Sequence, residues 1–303
     1  MANDKDTPTV WAVGGGKGGV GKSVISTLIA FWLSRSGKST VLMDMDLGGA
    51  NVHTLMGIRN PSRTLNDFVT KKVKSLDDAC ITSEVDGRKL IVGAGEILSL
   101  ANPKFAQKIK IIRAVYGLDV DHVILDLGAG ASFNILDFFL TAEKQITVVT
   151  PQPTSIQNAY AFLRSAVYRR LSQLTSRDPS LMTLIQTAMN PKNELQMRTI
   201  KELCHVIEEL EGAESVETLK KEIARIRPLV VTNMVRDPND KNAGRIVQLV
   251  AEKYLTIQSD AACGVSYDRQ VDRMISEMTP LVQLNRSSRV FSDIHDVCTR
   301  MMS

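Results

Sequence analysis

A run of glycines near the amino terminus constrains the fold of this chain more than any other feature. The run, GGGKGGVGKS at residues 14–23, follows an apolar stretch at residues 10–13 and precedes another at residues 24–30. The order strand, glycine loop, helix is the setting in which backbone N–H groups close around phosphate oxygens. Because the pattern G-x-x-x-x-G-K-[ST] extends from Gly16 to Ser23, the sequence predicts a phosphate-binding loop (P-loop).

Each residue type in this loop has an expected role. Lys22 should reach the β- and γ-phosphates of ATP, and the Ser23 hydroxyl should ligate Mg²⁺. The helix that follows directs its positive amino-terminal end at the anion. The loop residues predicted to bind nucleotide are Gly16, Lys17, Gly18, Gly19, Val20, Gly21, Lys22 and Ser23.

The same loop admits a second interpretation. Gly14, Gly16 and Gly19 spell G-x-G-x-x-G, and Asp44 follows at a distance that suits a ribose contact. This dinucleotide-binding fingerprint leaves Lys22 without a role, so we favour the P-loop.

Strand-like and helix-like stretches alternate along the chain, which predicts a mostly parallel α/β sheet covered by helices on both faces. We expect one P-loop ATPase domain over residues 1–303. The predicted strands are residues 10–13, 39–46, 89–95, 146–150 and 229–235, with a further strand that ends at Asp126.

Carboxylates end two of these strands. Asp44 and Asp46 close the second strand, and Asp126 closes a later one. Because ligands bind at the carboxyl ends of parallel strands, all three should lie beside the P-loop. Asp126 is expected to hold Mg²⁺ through water, and the Gly130 backbone to approach the γ-phosphate and move on hydrolysis.

Residues 17–23, KGGVGKS, resemble the deviant Walker A motif of the ParA/MinD family of ATPases. The resemblance implies that Lys17 reaches across a nucleotide-sandwich dimer to the partner's phosphates, so that ATP holds two copies together. The alternative is a solvated lysine on a loop. A site for a buried anion leaves few other uses for a second cation.

Residues 44–51 are similar to the D-x-D-x-G-x-x-N region of the same family. The resemblance implies that Asp46 positions the attacking water and that Asp44 supports Lys22 and Mg²⁺. A carboxylate one water away from the γ-phosphate can orient a nucleophile. Alternatively, one of the two carboxylates caps the next helix. The predicted catalytic residues are Lys17, Lys22 and Asp46.

Two further segments resemble the FlhG/FleN branch, which regulates flagellar number and placement. DLGAG at residues 126–130 is similar to its switch sequence. Residues 151–160 resemble its T-P-E-P-T-S-x-x-D-A-Y run, with Gln152 and Asn158 in place of two carboxylates. Residues 154–157 also form a capping-box pattern, which predicts a helix start.

The strand at residues 229–235 carries the predicted base contacts. The resemblance implies that Asn233 reads the adenine, whose edge needs both a donor and an acceptor. Arg236 is predicted to stack on or flank the base. Residues 264–268 resemble the family's G-x-I-P-Y-D loop, with Ser266 in place of proline.

Residues 171–227 exceed what the family core needs and predict a helical hairpin insertion. The loop at residues 211–215 should join its helices, with Ser215 as N-cap. We expect two apolar stripes to bury each other and the adjacent helix, a partner-binding arm being the alternative. The first stripe is Met197, Ile200, Cys204 and Ile207, with Leu203 and Leu210 beside it, and the second is Val216, Leu219, Ile223 and Ile226.

The last predicted helix, residues 287–301, is amphipathic, as are the membrane-binding terminal helices of MinD and FlhG. Its polar face carries Asp293 and Asp296, whereas a membrane-surface helix favours cations, so we expect it to dock on the core. Nonspecific DNA binding, as in ParA relatives, is the less favoured use of a nearby basic cluster. The cluster is Arg269, Arg273, Arg286 and Arg289.

Composition restricts the function classes further. The net charge of +4 is too small to indicate a nucleic-acid partner, and four scattered cysteines form no metal-binding motif. Without a signal or membrane-spanning stretch, we expect a cytoplasmic protein, with peripheral contact at the inner face of the cell membrane left open.

Three functions are compatible with these features. The first is an ATP-dependent homodimeric switch that regulates the placement or number of a flagellum or division site. Its partner would be a protein such as a transcription regulator, a flagellar protein or a positioning factor. The second is a ParA-like DNA-binding segregation or positioning ATPase. The third, a metal-insertion ATPase, lacks the paired thiolates that such a protein would need.

Overall fold

The computed structural model describes residues 7–46, 49, 51–83, 87–93, 105–190, 197–285 and 287–303. Within these residues, eight strands form one sheet. The strands are β1 Thr9–Gly14, β2 Thr40–Met45, β3 Ile81–Thr82, β4 Lys89–Ile91, β5 His122–Leu127, β6 Lys144–Val149, β7 Leu229–Val235 and β8 Asp260–Ser266.

The strand order is β3-β4-β2-β5-β1-β6-β7-β8, and β1 lies between β5 and β6. All pairs are parallel except β3 with β4. In the register, Asp126 lies beside both Val13 and Asp44. The parallel sheet therefore brings the P-loop and the strand-end carboxylates to one edge, as predicted.

Helices cover both faces of the sheet, because successive strand residues point to opposite sides. Val10 and Ala12 pack into one core, and Trp11 and Val13 into the other. This confirms the predicted α/β fold class. The described helices are α1 Lys22–Arg35, α2 Val52–Leu55, α3 Leu65–Val69, α4 Phe105–Tyr116, α5 Phe133–Thr141, α6 Pro153–Leu174, α7 Pro179–Met189, α8 Ile200–Glu211, α9 Ala213–Ala224, α10 Asn242–Leu255, α11 Arg269–Ser276 and α12 Arg289–Met302.

The predicted hairpin is formed by α8 and α9, which pack on each other and, through α9, on α6. Both stripes are buried, as expected, and so is Leu203, whereas Leu210 beside them is 65% exposed. Ser215 is not the N-cap, because α9 already begins at Ala213 after Gly212, whose φ of 83° ends α8. Gly212 alone thus joins the two helices, where the sequence predicted a loop at residues 211–215.

The last helix, α12, docks on the core as expected. It buries Val290, Ile294 and Val297 against α1 and β8. Asp293, predicted to lie on a solvated face, accepts the Ser266 N–H at 2.8 Å and so joins the helix to the end of β8. Among the described helices, none has the length and apolar character to cross a membrane.

A buried ionic cluster ties α4, α5 and α6 together. The carboxylate of Asp137 accepts hydrogen bonds from Lys108 and Gln173 and two from Arg169, at 2.7 and 2.9 Å. Asp137 and Lys108 are both nearly inaccessible to solvent. Because this carboxylate accepts hydrogen bonds from two cationic side chains, it holds together the three helices beside the loop at residues 128–132.

Some sequence-based expectations fall outside the described residues. These are the end of the predicted strand at residues 94–95, part of the D-x-D-x-G-x-x-N region, and one arginine of the basic cluster. The residues concerned in the last two are Leu47, Gly48, Ala50 and Arg286.

Candidate nucleotide site

The glycine loop connects β1 directly to α1, as the sequence predicted. Gly21 precedes the first turn of α1 and has φ 90°, and Gly19 has φ 75°, conformations that side chains rarely adopt. No atom lies within 4 Å of where a Cβ of Gly19 would be. The loop is therefore open on its outer side, where phosphate oxygens could approach its N–H groups.

Two other glycines are required by close packing. A Cβ at Gly16 would lie 2.1 Å from the carbonyl oxygen of Asn158 in α6, and one at Gly21 would lie 2.1 Å from Nδ2 of Asn233. The P-loop is thereby held between α6 and the end of β7. These contacts explain why glycine occupies both positions.

Lys22 is 8% exposed, and its Nζ donates to the carbonyl oxygen of Lys17 at 3.4 Å. Burial lowers the pKa of this amine, while the nearby Asp126 and Asp46 raise it. A buried cation at the centre of a glycine loop is suited to bind terminal phosphates.

Asp126 and Asp44 form a buried carboxylate pair at the ends of adjacent strands. Burial raises the pKa of Asp126 to about 6, against hydrogen bonds from Ser23 and Ser26 and the charge of Lys22, which lower it. The Ser26 hydroxyl donates to Oδ1 of Asp126 at 2.8 Å. Burial, and then the charge of Asp126, raise the pKa of Asp44 to about 7.

Asp44 also has a structural role, which the sequence left open. Its two oxygens accept the N–H of Asp46 at 3.0 Å and that of Val52, the first residue of α2, at 3.1 Å. Because the Asp44 side chain is also inaccessible to solvent, its carboxylate is not placed for the ribose contact of the dinucleotide alternative. Asp44 instead fixes the chain that carries Asp46.

Asp46 lies half-buried beside the loop that follows β5. A Cβ at Gly128 would be 3.3 Å from its carboxyl carbon, so a larger residue there would press on the Asp46 side chain. Gly130, in the same loop, has φ 95° and open space at its Cβ position. Asp46 thus lies close enough to the P-loop for its charge to act on Lys22, and the approach of Gly130 to the γ-phosphate stays a prediction.

The residues present fit a magnesium ion that is shared with nucleotide phosphates. In the described residues, no group of three or more His, Cys, Asp or Glu side chains could hold a metal ion alone. Mg²⁺ is usually held by one or two carboxylates together with phosphates and water. Ser23 hydrogen-bonds to Asp126. Burial raises the pKa of this carboxylate, and a divalent cation bound beside it would lower that pKa again.

Lys17 does not project freely from the loop. Its Nζ donates to Oε1 of Gln152 and to Oγ1 of Thr154, both at 3.1 Å. The capping box predicted for residues 154–157 is wrong, because α6 begins earlier, with Gln152 as N-cap and Pro153 in the first position. Thr154 has no capping role, and its hydroxyl oxygen accepts a hydrogen bond from Lys17 instead.

The predicted base contacts lie on the other side of the loop. Nδ2 of Asn233 donates to the carbonyl oxygen of Val20 at 2.9 Å, next to a cleft that Gly21 and Tyr267 also line. The guanidinium of Arg236 lies 4.2 Å from the ring centroid of Tyr267. Both predicted residues are therefore near the P-loop, Arg236 through a stacking partner.

Sequence reasoning missed three contributors to this site. Ser26 was visible as one of two adjacent hydroxyl residues, Ser26 and Thr27, three and four residues after Ser23. Tyr267 was noted only as part of a resemblance, although its hydroxyl donates to Asp272 at 2.6 Å and fixes the ring under Arg236. Thr154 gave no local signal for its contact with Lys17.

Comparisons with known proteins agree with this geometry. The family model ParA, described as NUBPL iron-transfer P-loop NTPase, matches residues 7–167, more than half of the chain. The antiactivator FleN of Pseudomonas aeruginosa is 34% identical over 157 residues, which cover 51% of this chain and 55% of FleN. The septum site-determining protein MinD of Helicobacter pylori is 30% identical over 146 residues, 48% of this chain and 53% of MinD.

The alignments thus span about half the length of these two relatives. Among solved structures, MinD of Pyrococcus horikoshii complexed with Mg-ADP superposes with a TM-score of 0.62 at 17% identity, over 96% of this chain and 94% of that one. At this identity the superposition establishes the fold. Together with the family match, it shows that the chain belongs to the ParA/MinD family of P-loop NTPases.

Proposed function

We propose that this chain is a cytoplasmic ATPase that binds Mg-ATP, dimerises face to face and hydrolyses ATP slowly. In its ATP state it regulates the placement or number of a cellular structure, of the flagellar or division-site type, through a protein partner. The similarity to an antiactivator and to septum site-determining proteins supports this class of output.

The proposed chemistry assigns one task to each side chain. Lys22 binds the terminal phosphates, and Asp46, beside Gly128, orients the attacking water. Ser23 and Asp126 would hold Mg²⁺, which neutralises charge on the phosphates. Asp44 positions Asp46 through its hydrogen bond to the Asp46 N–H.

The observation that carries the dimer proposal is the state of Lys17. This lysine is half-buried at the rim and is held by the neutral oxygens of Gln152 and Thr154, not by a carboxylate. Exchanging two neutral acceptors for an anionic phosphate favours the phosphate, since the attraction between opposite charges is then added to the hydrogen bonds. Lys17 can therefore leave this contact when a partner's nucleotide comes within reach.

Size-exclusion chromatography with light scattering tests the proposal. In an Asp46→Ala background, which should slow hydrolysis, ATP should yield a dimer and ADP a monomer. Lys17→Ala should stay monomeric with ATP while retaining ATP binding, and Lys74→Ala, which removes an exposed lysine elsewhere, should dimerise normally. An ATP-dependent dimer of Lys17→Ala would refute the cross-dimer role.

A ParA-like DNA-binding function is the second candidate. Arg269, Arg273 and Arg289 are all exposed on or at the start of α11 and α12, which supports it. Binding through phosphate contacts would fall steeply between 50 and 200 mM salt. Co-sedimentation of Asp46→Ala with anionic liposomes or with duplex DNA, each with ATP and ADP, distinguishes the outputs: ATP-only binding to DNA favours this candidate.

A further inference from the structure

A groove on the outer surface lies between α6, α10 and the residues before α8. Its volume is about 390 Å³, and no residue of the nucleotide site lines it. The lining residues are Tyr160, Arg164, Met197, Arg198, Val250 and Tyr254.

The floor of this groove is apolar and partly aromatic. Tyr160 and Tyr254 contact each other edge to face, with ring centroids 6.5 Å apart. Met197 belongs to the buried core, while Val250 is half-buried. The floor of the groove is thus packed directly on the core.

Helix α10 extends this apolar surface along its axis. Ile246 and Leu249 are 45% and 54% exposed, although both are large aliphatic side chains. Ile246, Val250 and Tyr254 follow one another at four-residue spacing and therefore lie along one face of the helix. An exposed apolar strip of two turns next to a groove is typical of a site for a protein partner.

The rim of the groove is basic. Arg198 lines the groove, and Arg245 and Lys253 lie four residues before and after Leu249, beside the apolar strip. All three are exposed, and their side chains form no ion pair within 4.0 Å in the described part of the chain. Arg164 also lines the groove, and its guanidinium donates to the carbonyl oxygens of Ala188 and Met189 at 3.3 and 2.8 Å. Three exposed cations and Arg164 therefore lie along the groove and its apolar strip.

The nearby acids do not neutralise this rim. Glu202 accepts the backbone N–H groups of Arg198 and Thr199 at 2.6 and 3.0 Å, which engages its carboxylate at the start of α8. Glu252 is exposed on α10, one residue before Lys253. The charge of Arg198 is among the causes that lower the pKa of Glu202, so these two groups attract each other. Among the described residues, these two acids stand against four cations, so this part of the surface is net positive.

We propose that this groove binds an acidic amphipathic helix of a protein partner. Apolar side chains at three- and four-residue spacing would fill the space between the two tyrosines and along Ile246 and Leu249. Glutamates or aspartates beside them would face the rim cations, which gives the site its preference for acidic segments. The proposal does not depend on ATP-dependent dimerisation, since the groove is complete in one chain.

A peptide-display selection tests this proposal. A library of random 16-residue peptides is selected on the wild-type protein and then depleted on Val250→Asp, which places a charge on the groove floor. We expect the remaining peptides to be enriched in acidic sequences with apolar residues at helical spacing. No enrichment, or enrichment of peptides without acidic residues, would overturn the proposal.

The affinity of the best selected peptide supplies the quantitative test. Fluorescence anisotropy should show a loss of about tenfold or more in the double variant Arg198→Glu, Arg245→Glu, because like charges then oppose the peptide. The double variant Lys74→Glu, Lys221→Glu, at exposed positions elsewhere on the chain, is the matched charge control and should bind normally. Equal affinity of all three proteins would contradict the assignment.

Two other occupants are separate outcomes of the same set of proteins. Concentration-dependent self-association that Leu249→Asp abolishes would show that the groove binds a second copy of this chain. Binding of a single-stranded oligonucleotide that Tyr254→Ala abolishes would show a nucleic-acid site. Either result would replace the proposed partner. Circular dichroism of each variant confirms that its fold is intact.

Discussion

Asp126→Asn should stabilise the nucleotide-free protein while abolishing its binding of Mg-ATP. The pKa of Asp126 is raised from 3.8 to about 6, with burial as the largest cause. Each pKa unit corresponds to about 1.36 kcal/mol, so the ionised carboxylate costs the folded state about 3 kcal/mol above pH 6. Asparagine removes the charge and keeps an oxygen that can accept the Ser26 hydroxyl hydrogen bond.

The sign of the pH dependence follows from the raised pKa. Between pH 3.8 and 6, the folded state binds more protons at Asp126 than the unfolded state, so this group lowers the free energy of unfolding as the pH rises. The advantage of Asp126→Asn should therefore be small near pH 4 and reach about 3 kcal/mol above pH 6. The charge of Asp126 also raises the pKa of the neighbouring Asp44. Removing this charge therefore lets Asp44 ionise at lower cost, which stabilises the variant further.

Urea unfolding with EDTA from pH 4 to 8 measures this difference, and isothermal titration with Mg-ATP measures the loss of binding. Asp296→Asn, at an exposed position of α12, is the control and should change neither quantity. A variant no more stable than wild type at pH 8 would refute the electrostatic argument. So would a stability gain that does not vary with pH.

Three further substitutions test other parts of the site and fold. Asp46→Ala should reduce ATP turnover and prolong the ATP-bound dimer; unchanged steady-state phosphate release would place the water-orienting role elsewhere. Gly21→Ala should lower the melting temperature and abolish ATP binding, because φ 90° is strained and the new Cβ would lie 2.1 Å from Asn233. Gly37→Ala is the control, because Gly37 has φ 81° but open space at its Cβ position, so that alanine there causes backbone strain without a clash. An equal loss of melting temperature in the two variants would show that the clash with Asn233 contributes nothing. Asp137→Ala should lower the free energy of unfolding by about 3–5 kcal/mol in urea, because it leaves two cations without their carboxylate, and a loss below about 1 kcal/mol would contradict that role.

The sequence predicted those parts of the molecule that depend on local order. The P-loop, the parallel sheet and the meeting of Asp44, Asp46 and Asp126 at one edge all follow from strands that alternate with helices. In the register Asp44 does lie beside Asp126. A pattern of residue types at fixed spacing was sufficient, because the α/β fold converts chain order into position.

Contacts between distant segments were not predictable in the same way. Lys17 is 137 residues from Thr154, and a capping box at Thr154 looked as plausible as any contact with the loop. The short antiparallel β3 and the early start of α9 at Ala213 depend on tertiary packing and on the φ of Gly212, neither of which the residue pattern reveals.

Helix α6 connects the nucleotide site to the proposed docking groove. Thr154, in its first turn, holds Lys17, and Tyr160, less than two turns later, forms a wall of the groove. A dimer that draws Lys17 away from Thr154 removes a contact from this helix. If that shifts the groove, a peptide bound there must change ATP affinity by the same factor by which ATP changes peptide affinity.

We expect the selected peptide to bind the ATP-loaded Asp46→Ala protein and the ADP-loaded protein with affinities that differ by fivefold or more. Equal affinities in anisotropy titrations would show that the groove and the nucleotide site act independently, and would leave the partner helix as an anchor with no influence on the switch.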